Sequence, residues 1–111
     1  MAAAVDLRQC IALHQAGRLD EAIRCYRRAL PQDRGGIQVN RLLGLALFAK
    51  GDRAEALKHL RAALGRAPAD PTLLNDFGNV LRALGRGAEA VQAFRRAIEA
   101  DPAFAFAHFN L

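Results

Sequence analysis

A 34-residue period constrains this chain more than any other feature. Gly17, Gly51 and Gly85 recur at that interval, and the register they set runs through many other columns. Glu21, Glu55 and Glu89 align, each followed by alanine at 22, 56 and 90. Tyr26, Leu60 and Phe94 form a bulky column, and Leu13, Leu47 and Leu81 an apolar one. Two columns are small: Cys10, Gly44 and Gly78, then Ala29, Ala63 and Ala97. Pro68 and Pro102 close the second and third units. Self-similarity at a spacing of tens of residues marks an array of stacked supersecondary units, each unable to bury its apolar face alone.

Each unit reads as two helices. Alanine is abundant and arginine supplies 14 of the 16 basic side chains, both strong helix formers. Valine and isoleucine are scarce, which disfavours a sheet. In the second unit an apolar run from Leu42 to Leu47 leads to Gly51, a left-handed helix stop. Asp52 and Glu55 then stand at capping-box spacing. Ala56, Leu57, Leu60, Ala63 and Leu64 follow at helical intervals. Pro68 ends that helix and Pro71 opens the next. Gly44 or Gly78 facing Ala56 or Ala90 lets paired backbones approach closely, while Leu60 or Phe94 fills the space between units. Pro31 predicts that the first unit's second helix stops near Leu30, with a looser connection through Gly35-Gly36.

This pattern resembles the tetratricopeptide repeat (TPR) family. In the third unit Leu74, Phe77, Gly78, Leu81, Ala90, Phe94 and Pro102 stand at signature positions, Leu74 replacing the usual tryptophan. The second unit matches at Leu43, Gly44, Leu47, Ala56 and Pro68, with Asn40 at the tryptophan position and Leu60 at the phenylalanine position. The first is degenerate before Leu13 and has Arg34 in place of the closing proline. The resemblance implies an all-α, right-handed solenoid: units at about 3–36, 37–70 and 71–104, then a partial fourth unit or capping helix at 105–111. It also implies a non-catalytic module that holds a protein or peptide segment in a concave groove lined by the first helices. Groove positions fall on Leu7, Ile11, His14, Gln38, Arg41, Leu45, Phe48, Thr72, Asn75, Asn79 and Arg82. Asn75 and Asn79, one turn apart, offer amides to a peptide backbone, and Arg41 and Arg82 offer charge-assisted bonds to carboxylates. The Lys and Asn set with which one family branch grips a chain terminus is replaced here by Leu7, Ile11, Leu42, Thr72 and Asp76. Asn110 occupies the recurrent asparagine position of arrays attached to sugar-transferring enzymes. Asp76, Leu42 and Arg8 fill it in the other units, so no asparagine ladder is expected.

The remaining residues argue against chemistry. At 111 residues and a net charge of +5 the chain suits a single domain. Serine is absent and Thr72 is the only threonine, which removes a serine nucleophile. His14, His59 and His108 fall in different units with no ligand-spaced partner, so neither a metal nor a cofactor is expected. Cys10 and Cys25 are expected as reduced, packed thiols. No apolar run of roughly 20 residues is long enough to span a bilayer, and no secretory leader is apparent, which suggests a cytoplasmic protein. Arg27, Arg61 and Arg95 form a basic strip on the second helices, expected as a solvated face, with an anionic partner as the alternative. A strip without aromatic residues disfavours nucleic acid. Phe104, Phe106 and Phe109 crowd the C-terminal edge, either capping the array on Phe94 and Ala97 or mediating homo-oligomer formation. Two further readings are the accessory array of a larger glycosyltransferase or sulfotransferase, and a scaffold that self-associates through this edge.

Overall fold

The computed structural model describes residues 4–33 and 36–110, apart from the side chains of residues 105, 106 and 109. Seven helices follow in order: α1 (Leu7–Gln15), α2 (Leu19–Ala29), α3 (Ile37–Lys50), α4 (Arg53–Arg66), α5 (Pro71–Ala83), α6 (Gly87–Ala100) and α7 (Ala105–Asn110). Among the described residues there is no strand. A short 3-10 turn, Leu30–Gln32, carries Pro31 and ends α2 where the proline predicts. Helices pack as hairpins, α1 on α2, α3 on α4 and α5 on α6. Each second helix also packs on the next first helix, and α7 closes over α5 and α6. The result is an α-solenoid of three two-helix units followed by the short helix α7, 44 × 26 × 20 Å.

Local signals explain the boundaries. The Asp52 carboxylate accepts from the Glu55 amide, and Asp70 accepts from the Thr72 and Leu73 amides ahead of Pro71. The three hairpins turn at Gly17, Gly51 and Gly85, whose φ values of +79°, +98° and +78° lie in the left-handed region. A side chain at any of them would meet no atom within 4 Å, so conformation rather than space requires glycine there. At Gly78 the requirement is space: a Cβ would lie 2.5 Å from Phe94 Cε1. Tyr26, Leu43, Leu60, Leu73, Leu81 and Phe94 are among the largest fully buried side chains and link the units into one core. A smaller cluster of Leu74, Ala97 and Ala107, flanked by half-buried Phe104, seats α7.

The first unit differs from the others, and here the structure corrects the sequence reading. Cys10 and Cys25 are not thiols but a disulfide, with Cα atoms 5.3 Å apart, inside the range such a bridge requires. Cys10 takes the place of Gly44 and Gly78, and Cys25 that of His59 and Ala93. In the first unit these two positions meet across the hairpin, and there alone both carry cysteine. Sequence separation gives no hint of this; the paired positions do. The bridge joins the two shortest paired helices, of 9 and 11 residues.

Candidate functional site

The first helices are stitched side by side by polar pairs that recur at one separation. Arg41 Nε on α3 donates to Asp76 Oδ2 on α5 at 2.9 Å, and Asn110 Nδ2 on α7 donates to Asn75 Oδ1 at 2.8 Å. Both pairs are 35 residues apart, one repeat plus one position. Leu7 and Leu42, at the same separation, are half-buried and packed against the core. Where no asparagine ladder is expected, two polar pairs thus link first helices, one an ion pair and the other an amide pair.

Between these pairs lies a cleft of about 310 Å³ lined by Arg41, Thr72, Asn75, Asp76 and Phe104. The Asp70 cap and Pro71 fix Thr72 in the first turn of α5. Asp76 has a side chain only 13% exposed, and burial pushes its pKa up against the opposing pull of the Arg41 guanidinium. Desolvation outweighs the ion pair, so the pair orients Arg41 more than it stabilises the fold. Among the described residues the terminal nitrogens of Arg41 take no further hydrogen bond, which leaves two donor groups for a ligand. The cleft is thus a small recess with a fixed cation, a hydroxyl, an amide and an aromatic wall.

Three of the sequence-predicted groove residues, Arg41, Thr72 and Asn75, come together here. Asn75 is 8% exposed and engaged by Asn110, so its amide holds α7 in place as well as facing the recess. Asn79 and Arg82 form a rim instead. Arg82 Nη2 donates to Asn79 Oδ1 at 3.0 Å, its Nη1 to the Asn110 carbonyl, and its guanidinium lies 5.7 Å over the Phe94 ring. Gln38 is exposed, while Leu45 and Phe48 are half-buried, all outside the lining. His14 contacts the Tyr26 hydroxyl at 3.0 Å, and burial pushes the His14 pKa down and that of Tyr26 up. His59, bonded to Asn40 Oδ1 at 2.8 Å, is also depressed by burial, Glu55 opposing.

Sequence reasoning missed Asp76 and Phe104 as lining residues. Opposite charges 35 residues apart at Arg41 and Asp76 are the signal that could have found the first. Phe104, expected either to cap the array on Phe94 and Ala97 or to form an association edge, packs against the cluster that holds Ala97 and also walls the cleft; the side chains of Phe106 and Phe109 lie outside the described residues. Arg27, Arg61 and Arg95 are exposed on the second helices as expected. Arg61 does not stand apart from aromatic surface, since it lies 5.7 Å over the Phe77 ring. Among the described residues no cluster of His, Cys, Asp and Glu could hold a metal, and no helix is long and apolar enough to cross a membrane.

One tetratricopeptide-repeat profile matches residues 41–105 and a second matches residues 11–38. The chain belongs to the tetratricopeptide-repeat family. Among curated TPR relatives, a peroxisomal targeting signal receptor of Eremothecium gossypii is 36% identical over 83 residues. That match covers 75% of this chain and spans only 14% of the receptor. Solved TPR structures share the fold. MamA from Desulfovibrio magneticus RS-1 superposes with a TM-score of 0.86 at 22% identity, over 95% of this chain and 59% of that one. YrrB, described as a TPR protein with an unusual peptide-binding site, gives 0.85 at 18% over 91% and 52%. An O-GlcNAc transferase from Thermobaculum terrenum gives 0.84 at 26% identity, over 95% of this chain and 20% of that one.

Proposed function

We propose that this TPR chain is a non-catalytic interaction module that holds an extended peptide on its concave face, centred on the cleft between α3, α5 and α7. The observation that carries this reading is the convergence of Thr72, Asn75 and Arg41, the last oriented by Asp76, around one recess of about 310 Å³. That volume suits one or two peptide side chains, and the free guanidinium nitrogens supply oriented donors. A relative whose name is that of a targeting-signal receptor, and a fold neighbour described as having a peptide-binding site, support the same class of partner.

The test is a peptide-library screen against the wild type, Arg41→Ala and Thr72→Arg, with thermal melts of each. Selective peptides should bind the wild type and lose at least ten-fold in affinity in both variants at unchanged melting temperature. Binding indifferent to both substitutions, or no binding in the library, overturns the reading.

A second reading is favoured by the O-GlcNAc transferase overlay, which places a similar array in a fifth of an enzyme chain. Here the same groove would serve as the accessory array of a larger sugar-transferring enzyme, presenting acceptor proteins to a catalytic domain. Compartment bears on either reading through the disulfide. A cytoplasmic home requires the Cys10–Cys25 bond to be shielded from cellular dithiols, and both residues are at most 3% exposed.

A further inference from the structure

The outer edge of the first unit carries a second surface, distinct from the concave cleft. Helices α3 and α5 each lie between a preceding and a following helix, whereas α1 packs chiefly on α2. Ala46 and Val80 are fully buried, and Leu47 and Leu81 at most 2% exposed. Their column mates in α1, Ala12 and Leu13, are exposed and half-buried. They line a shallow recess of about 420 Å³ with Gln9, Ala16 and Arg18. A second hollow of about 570 Å³ adjoins it across Leu13, bounded by Glu21, Arg24, Arg27 and Arg28. Among the described residues, then, no helix covers the face that the other two units bury under one.

Charge says what kind of helix fits. The nearby carboxylates are already engaged, Asp20 by Lys50 and Glu21 by Arg18 at 2.8 Å. Arg24, Arg27 and Arg28 form no hydrogen bond or ion pair among the described residues and stand together on α2. The third unit shows what the Arg28 position does when a helix is present. Its column mate Arg96 donates from Nη2 to the Pro68 carbonyl, just beyond the C-terminus of the preceding helix α4, at 3.0 Å. The negative end of a helix dipole is where such a cation is favoured. Acidic side chains in a helix's last turn oppose the dipole and gain from arginines placed there.

We propose that this edge docks an amphipathic helix of a partner protein, its apolar face on Ala12 and Leu13 and its acidic C-terminal turn against Arg24, Arg27 and Arg28. The α4-on-α5 packing is its geometric template.

The probe follows from the template: a fluorescein-labelled synthetic peptide of residues 53–68, native or carrying Lys58→Glu and Arg66→Glu. Anisotropy titration against the whole chain at low salt should show the acidic peptide binding at least ten-fold tighter than the native one. Arg24→Glu with Arg28→Glu should abolish that difference. Ala12→Arg adds positive charge but obstructs the seat; Ala12 is exposed, so the fold should survive, with circular dichroism as the check. A seated helix loses at least ten-fold in affinity in Ala12→Arg. Equal binding of the two peptides overturns the proposal. So does unstructured polyglutamate or a nucleic-acid strand binding as tightly as the acidic peptide and more tightly still to Ala12→Arg, which would mark a plain electrostatic surface. A dimer seen by sedimentation and lost in Ala12→Arg would assign the edge to a second copy and overturn the partner.

Discussion

Gly78→Ala tests the helix pairing at its tightest point. The added Cβ would stand 2.5 Å from Phe94 Cε1, 2.8 Å from Cζ and 2.9 Å from Cδ1. Carbon atoms in contact prefer about 3.5–4.0 Å, so ring or helix must move by roughly an ångström. Phe94 is 1% exposed and cannot swing into solvent. Overpacking costs about 1–3 kcal/mol, and a contact this short with a buried ring puts the site at about 2–3 kcal/mol, from which alanine returns about 1 kcal/mol through its helix propensity. The net expectation is about 1–2 kcal/mol of destabilisation, or a fall of roughly 5–15 °C in melting temperature for a domain of this size. Gly44 supplies the control. There a Cβ would meet Leu60 Cγ at 3.0 Å and the Ala56 carbonyl at 3.3 Å, and a leucine can yield by tenths of an ångström. Gly44→Ala should therefore lie within about 1 kcal/mol of wild type. Adding Phe94→Leu to Gly78→Ala recreates the leucine opposite the second unit's small column and should recover stability non-additively, by about 1 kcal/mol or more. Far-UV circular dichroism melts of these three variants and of Phe94→Leu alone decide it. A Gly78→Ala melt at or above wild type, or a strictly additive double variant, would refute the close-packing argument.

Two other perturbations address the first unit and the buried histidines. Cys10→Ala with Cys25→Ala opens a bridge between residues 15 apart and should cost about 3 kcal/mol, with hydrogen exchange rising first in α1. Two titratable thiols in the denatured but unreduced wild type would show that the bridge is absent. Burial depresses the pKa of both His14 and His59, so the unfolded chain binds more protons than the folded one just below the ordinary value of 6.5. Their contribution is present above about pH 6.5 and is lost as pH falls through the depressed folded values. The melting temperature should drop between about pH 7.5 and 5.5, and His59→Gln should flatten the slope; a melt independent of pH across that range counts against the burial of both rings.

The fold was legible because it is written in columns. Hairpin glycines and the opposition of small and bulky positions act locally and recur in every unit or nearly so, while the capping aspartates Asp52 and Asp70 each mark one boundary. The cleft was legible only in part, because its lining is made of departures from the repeat. Arg41, Thr72 and Asn75 could be placed by their columns. Asp76 was missed because its role depends on a partner one repeat and one position away, a relation that column-by-column alignment hides. The disulfide was missed for a related reason. Cys10 looks like one more small residue along its own column, and becomes a bridge only when set beside the facing column that holds Cys25.

Two of these departures, the disulfide and the Asn110–Asn75 pair, hold the helices with the fewest packed neighbours. Among the described residues α3 and α5 pack against a preceding and a following helix, whereas α1 packs chiefly on α2 and α7 on α5 and α6. In the middle, Gly44 and Leu60 suffice. At the first unit the hairpin is short, Cys10 replaces the small-column glycine, and a covalent bond to Cys25 fixes α1 on α2 while the Tyr26 hydroxyl is held by His14. At the other end α7 has only six residues, too few to stand alone as a helix. It is held by Asn110 on Asn75, by Arg82 on the Asn110 carbonyl and by Ala107 in the Leu74–Ala97 cluster. Asn75, Arg82 and Phe104 therefore serve two ends at once, anchoring the cap and shaping the groove beside it. Loosening the cap should open the cleft, so Asn110→Ala is expected to weaken peptide binding although it contributes no atom to the cleft lining. A variant that frees α7 by hydrogen exchange yet binds the selected peptides at wild-type affinity would separate the two roles and move the recognition surface toward α1 and α3.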